Sequence, residues 1–226
     1  VANQMSKVTY VILACNIDKG MKSFGSKGLM VFQNKKLLDY QITWIKKQKP
    51  KGAEIIVVAG FDFIKIQKSF DKNAKIIKSD QNNPIYSACV EAKNDNVYFI
   101  DYGCLFNPQV IPCIDNLDTS TIITTEKSAD LCVGCITKEN QIEHMFLDLQ
   151  QHKFCNMFYL VKEDIIKIKT DPFYQRHNIL NFEIINKLVD TGSTINRANI
   201  SPKDFVYFHN MRQKNVISKF IKKHAY

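Results

Sequence analysis

Apolar residues along this 226-residue chain fall into two kinds of run, and their order predicts the architecture. Val8–Ala14 and Glu54–Ala59 are short, β-branched and apolar almost throughout, as strands buried on both faces are. Lys36–Lys47 instead places Leu37, Leu38, Ile42, Trp44 and Ile45 at mostly helical spacing, with Pro50-Lys-Gly52 as its stop. Ala74–Ile77 predicts a short third strand, and Pro84–Lys93 a helix that tolerates Pro84 in its first turn. Asn96–Asp101 predicts a fourth strand ending in a polar turn. Strands alternating with helices of this length predict βαβ units and a mainly parallel sheet.

From about Thr119 the rhythm changes. Thr121–Thr124, Leu131–Ile136, Gln141–Met145 and Met157–Val161 predict shorter strands. Helices are predicted over Lys162–Ile168 and Asn181–Val189, the second ended by Thr191-Gly192. Phe205–Phe208 predicts a last strand and Val216–Ile221 a closing amphipathic helix. With no linker in between, residues 1–226 read as one α/β domain with two halves, 1–118 and 119–226.

Apolar residues make up 45% and charged residues 23%, a globular balance that argues against long disorder. No apolar run reaches membrane-spanning length, and Val8–Cys15 is too short a run, without a cleavage pattern after it, for a secretory signal. The seven cysteines, at 15, 89, 104, 113, 132, 135 and 155, are scattered, which predicts reduced thiols in a cytoplasmic compartment. Cys132-Val-Gly-Cys135 lacks a second ligand pair, and on a strand its two thiols face opposite sides. The net charge of +9 favours anionic partners, nucleotides and sugar phosphates among them, and a solvated basic surface gives the same balance. Arg stands only at 176, 197 and 212, and no RNA-binding signature is present, so specific nucleic-acid recognition is not predicted.

In a parallel α/β sheet, ligands bind outside the carboxyl ends of the strands. The first such loop, Cys15–Gly28, holds Gly20, Gly25 and Gly28 with Lys19, Lys22 and Lys27, a composition suited to phosphate and shared by ordinary surface loops. It is not a P-loop, because Ser26-Lys27 follows Gly25 where Lys-Ser/Thr is required.

Leu13-Ala-Cys-Asn-Ile-Asp-Lys-Gly-Met-Lys-Ser-Phe-Gly-Ser-Lys27 resembles the signature L-A-A-G-x-G-T-R-M-x-x-x-x-P-K of the sugar-phosphate nucleotidyltransferases. Leu13, Ala14, Met21 and Lys27 match; Asn16 and Asp18 replace glycines, Lys19 a Thr or Ser, Gly20 the Arg and Ser26 the Pro. Lys27-Gly-Leu-Met through Leu37-Leu38, Ile55–Phe61, Asn82–Ala92 with Ser87, Asn156–Asp164 and Phe182–Leu188 are similar to later family elements, so the likeness covers most of the chain.

The resemblance implies a Rossmann-like three-layer sandwich whose first half binds nucleotide and whose second half takes the acceptor. It implies attack of a sugar phosphate, or similar phosphomonoester, on the α-phosphate of an NTP with loss of pyrophosphate. Ala14, Cys15, Asn16, Lys19, Gly20, Lys22 and Ser87 are then the nucleotide contacts, and Lys27 the phosphate-binding lysine. The family holds Mg²⁺ with two Asp. Gly103-Cys104 stands at the first of those positions and Phe208-His-Asn210 at the second, which leaves Asp101 as the candidate metal ligand and catalytic carboxylate. A thiol is a poor ligand for Mg²⁺. Asn and Asp tolerate the loop's backbone, but their side chains crowd a phosphate, and the bidentate clamp lost with the Arg at Gly20 is made up by neighbouring Lys19 only as a point charge. Two readings follow: a divergent transferase, or a catalytically inactive pseudoenzyme serving as an interaction or assembly module. The closing helix, with Val216, Ile217, Phe220 and Ile221 on one face, either packs on the domain or docks on a protein partner; packing is the commoner use of such a face.

Overall fold

The computed structural model describes residues 8–15, 21–48, 53–79, 83–113, 118–126, 132–148 and 152–224. Asn16, Lys19 and Gly20, the Pro50–Gly52 stop and Leu131 lie outside these ranges.

The first half runs β1 (Val8–Ala14), β2 (Val31–Phe32), β3 (Lys35–Lys36), α1 (Leu37–Gln48), β4 (Glu54–Ala59), α2 (Phe63–Phe70), β5 (Lys75–Lys78), α3 (Pro84–Glu91), β6 (Asn96–Asp101) and β7 (Cys104–Phe106). The second half runs β8 (Ser120–Glu126), β9 (Cys132–Lys138), β10 (Gln141–Asp148), β11 (His152–Leu160), α4 (Lys162–Thr170), α5 (Asn181–Asp190), β12 (Ile195–Asn199), β13 (Phe205–Tyr207) and α6 (Lys214–His224).

Nine strands form one sheet in the order β5-β4-β1-β6-β11-β8-β12-β10-β9. The block β5-β4-β1-β6 is parallel, and β1 is buried along its whole length, which is why it reads as an unbroken apolar run. Beyond β6 the sheet is mixed: β11 runs antiparallel to both β6 and β8, while β12 is parallel to β8. The expected run of parallel strands therefore belongs to the first half, and the second half continues the same sheet with one further parallel pair, β8 and β12. Between Phe154 and Phe158 the β11 register shifts, with Asn156 in the left-handed region at φ 53. Such a bulge bends a strand and breaks its alternation, so Met157–Leu160 alone is legible as strand and His152–Cys155 is not.

Helices cover both faces. Alternate β1 side chains Tyr10 and Ile12 face a core with Leu38, Trp44 and Ile45 of α1, Ile66 and Phe70 of α2, and Ile217 and Ile221 of α6. Val11 and Leu13 face the other core, with Ile85 and Cys89 of α3, Ile165 and Ile168 of α4, and Ile184 and Leu188 of α5. The closing helix is thus seated on its own domain, with Phe220 edge-on to Trp44. No described helix is long and apolar enough to cross a membrane.

Candidate functional site

Three parallel strand ends, those of β4, β1 and β6, are stitched together at their carboxyl edge. Tyr102 donates its backbone N–H to Leu13 O at 3.1 Å, and Phe61 donates to Cys15 O at 3.4 Å. Gly60 permits this approach, since a Cβ there would lie 2.8 Å from Cys15 O. Just beyond, Asp62 adopts φ 61 and its Oδ2 accepts the N–H of Ser26 at 3.0 Å. Burial pushes the Asp62 carboxyl up, but hydrogen bonds from Lys65 and from Ser26 outweigh it and leave it below the usual range. This anchor fixes the single 3₁₀ turn Lys27–Leu29 and aims Lys27 inward.

Lys27 is only 1% exposed. Its Nζ lies 4.9 Å from the ring centroid of Tyr207, 5.6 Å from that of Tyr102 and 5.9 Å from that of Phe208. The negative faces of aromatic rings attract a desolvated ammonium, so the cation is caged by side chains that the loop signature does not contain. Asp101, at the tip of β6, accepts through Oδ1 from Gly103 N–H at 2.8 Å and from the Tyr207 hydroxyl at 2.9 Å. Gln41 of α1 locks the same turn, its Nε2 donating to the carbonyls of Asp101 at 3.1 Å and Cys104 at 2.6 Å.

Tyr207 reaches this point because β13 pairs antiparallel with β7, setting Tyr207 opposite Cys104, and Phe208 N–H donates to Gly103 O at 2.8 Å. Its ring fills the space above Gly103: a Cβ there would lie 2.8 Å from the Tyr207 Cζ. Cys104 is fully buried and its thiol donates to Cys155 O at 3.0 Å; burial, then the charge of Asp101, holds it well above the usual thiol range. Cys15 donates to Val58 O at 3.1 Å and is pushed up to about 12 by burial and then by Asp101.

Lys27, Asp101, Ala14 and Cys15, expected together, do gather at one strand edge. Lys22 sits exposed on the 3₁₀ turn Lys22–Phe24, and Ser87 sits half-buried on α3, in the opposite helical layer. The loop pattern gave no signal for Tyr102, Tyr207, Phe208 or Gln41, which come from distant segments.

An Mg²⁺ ion prefers hard oxygen ligands in near-octahedral geometry. Among the described residues no group of three or more His, Cys, Asp or Glu gathers to hold a metal. Asp101 is the carboxylate at the turn, with one oxygen already accepting two hydrogen bonds; Cys104 is a protonated thiol; His209 is exposed and lies against Tyr207 with ring centroids 4.4 Å apart. The described residues do not fit a two-carboxylate Mg²⁺ cradle.

No protein-family model matches the sequence, and no curated protein does either. Solved structures do. The CTP:phosphocholine cytidylyltransferase of Streptococcus pneumoniae is similar with a TM-score of 0.75 and 14% identity over 95% of this chain and 99% of that one. The inositol-1-phosphate CTP transferase of T. maritima is similar with a TM-score of 0.75 and 14% identity over 96% and 97%. HddC from Yersinia pseudotuberculosis, complexed with GMP-PN, follows with a TM-score of 0.67 and 17% identity over 93% and 98%. At these identities the likeness establishes the fold, a Rossmann-like nucleotidyltransferase sandwich.

Proposed function

We propose that this chain is a divergent nucleotidyltransferase-like protein whose transfer site has been filled from within, leaving a catalytically inactive binding or assembly module. The observation that carries the reading is the Tyr207 ring: it stands over Gly103, donates to Asp101 and presents its face to Lys27. Nucleotidyl transfer rests on positioning and on neutralising charge that develops on phosphate. A lysine that is 1% exposed inside an aromatic cage cannot meet a phosphate unless the cage opens. Lys27, the signature's phosphate-binding lysine, and Asp101, the candidate metal carboxylate, act here as two ends of one packed cluster around Tyr207.

Retention of Lys27 itself favours the second reading, a transferase that works with another charge arrangement. Pyrophosphate release separates the two. CTP, UTP, GTP and ATP are each incubated with phosphocholine, inositol 1-phosphate or glucose 1-phosphate and Mg²⁺, the acceptors being those of similarly folded proteins. The module predicts release no greater than that of Lys27→Met in every combination. Turnover that the Lys27→Met protein lacks refutes it.

A further inference from the structure

Four strand steps from β1, with its backbone opposite Ile122 of β8, Arg197 of β12 has no anionic partner among the described residues. At roughly 4.8 Å per step it is about 14 Å from Asp101 of β6, and Arg197 shares the strand face of Ile195, on the core opposite to that of Tyr102 and Phe208. Its Nη1 approaches His152 Nδ1 at 3.3 Å, and its Nε is buried without an acceptor. No ion pair involves it among the described residues. A guanidinium carries five donors in a fixed fork and stays charged, so a half-buried one without a carboxylate is an unfilled demand for acceptors.

The surroundings supply donors. Accepting from Arg197 through Nδ1 makes the His152 ring neutral with its proton on Nε2. Burial, then the Arg197 charge, holds this imidazole below its usual value. Two residues along β12 and on the same face, Asn199 accepts through Oδ1 from Thr124 at 3.4 Å, which leaves its exposed amide NH₂ as a donor. Cys135, in cross-strand register with His152, is a thiol pushed up to about 11 by burial, so it adds no negative charge. The nearest acid in register is Glu126, exposed opposite His152 and in no ion pair among the described residues.

We propose that Arg197, His152 and Asn199 form an anion site that takes the phosphate group of a phosphomonoester. The fork of Arg197 makes two parallel hydrogen bonds to phosphate oxygens, and the His152 Nε2–H and the Asn199 amide are further donors that a phosphate, with more oxygens than a carboxylate, can use. The site does not depend on whether the Lys27 cleft is closed.

The test is a titration of the intact chain with inorganic phosphate at constant ionic strength, by calorimetry and by the ring signals of His152. Acetate is the second arm, and Lys219→Gln, on the exposed face of α6, is the control for loss of one positive charge. Expected are a shift of the His152 ring signal with phosphate, at least tenfold weaker binding in Arg197→Gln, and binding within twofold of wild type in Lys219→Gln. Arg197→Lys, which keeps the charge but not the fork, is expected to weaken binding three- to tenfold should the Gln variant not fold. An unmoved His152 signal, equal losses in Arg197→Gln and Lys219→Gln, or equal affinity for acetate overturns the proposal. Pyrophosphate release, if found, would defeat the filled-cleft reading and leave this site standing.

Discussion

Consider Gly103→Ala. The described glycines with positive φ are Gly25 and Gly192, so Gly103 is needed for space and not for backbone conformation. The new methyl would sit 2.8 Å from Tyr207 Cζ and 3.1 Å from both Cε1 and Oη. Carbon atoms rest at about 3.5–4.0 Å, so the ring must retreat by roughly 1 Å. That movement takes the Tyr207 hydroxyl, now 2.9 Å from Asp101, out of hydrogen-bond range. If the ring stays, overpacking costs about 1–3 kcal/mol; if it leaves, a hydrogen bond to a carboxylate worth about 1.5–3 kcal/mol goes with it. The protein takes the cheaper route, so a destabilisation of about 1–3 kcal/mol is expected. In a Tyr207→Ala background the obstacle is gone, and the same substitution should cost less than about 0.5 kcal/mol. Urea unfolding followed by the fluorescence of Trp44, the sole tryptophan, gives both numbers. Additive effects within about 0.5 kcal/mol would show that Tyr207 does not occupy the Gly103 space and would undo the filled-cleft argument.

Three further outcomes are expected. Asn83 caps α3 by accepting Ile85 N–H at 2.9 Å and also donates to Ile179 O at 3.1 Å, so Asn83→Ala should destabilise by about 2–3 kcal/mol in urea melts, with Asn83→Asp recovering about 1. Burial, followed by a neighbouring cation, lowers the pKa of both His152 and His224 from the ordinary 6.5, so the unfolded chain takes up protons first. Stability should then be flat above that value and fall as pH drops from it towards the folded-state pKa values, and His152→Gln with His224→Gln should flatten the slope just below pH 6.5. Asp62 acts lower, its contribution being lost as pH falls below the ordinary 3.8 through its depressed pKa. Finally, burial pushes the thiols of Cys89, Cys104 and Cys155 up, and peptide mapping after iodoacetamide treatment at pH 7.5 should find all three unmodified in native protein and modified in urea.

The parallel block was legible because β1, β4 and β6 are buried on both faces and α1 spends seven of its twelve residues on the core. What escaped had weak local signals. α2 anchors itself with only Ile66 and Phe70 among lysines, and β12, Ile-Asn-Arg-Ala-Asn, has one fully buried apolar residue and low strand propensity. In the closing helix Ile217, Phe220 and Ile221 face the core as their spacing predicts, whereas Val216, placed on the same face, is exposed. At the site, sequence located Lys27 and Asp101 at one strand edge, but what surrounds them is a matter of tertiary pairing. Tyr207 meets Asp101 from 106 residues away through the β13–β7 ribbon, and a linear motif carries no trace of that contact. Arg197 and His152, 45 residues apart, are hidden in the same way.

The seam between β6 and β11 bears on how the chain can be divided. Because an antiparallel strand from the second half borders the last parallel strand of the first, a cut near residue 118 would divide the chain between two paired strands. Severed there, each fragment would bare a fully apolar sheet border, Val97–Ile100 on one and Met157–Leu160 on the other, inviting aberrant intermolecular stacking. Co-production of the two fragments should rescue solubility that neither achieves alone, since each is the natural cover for its counterpart.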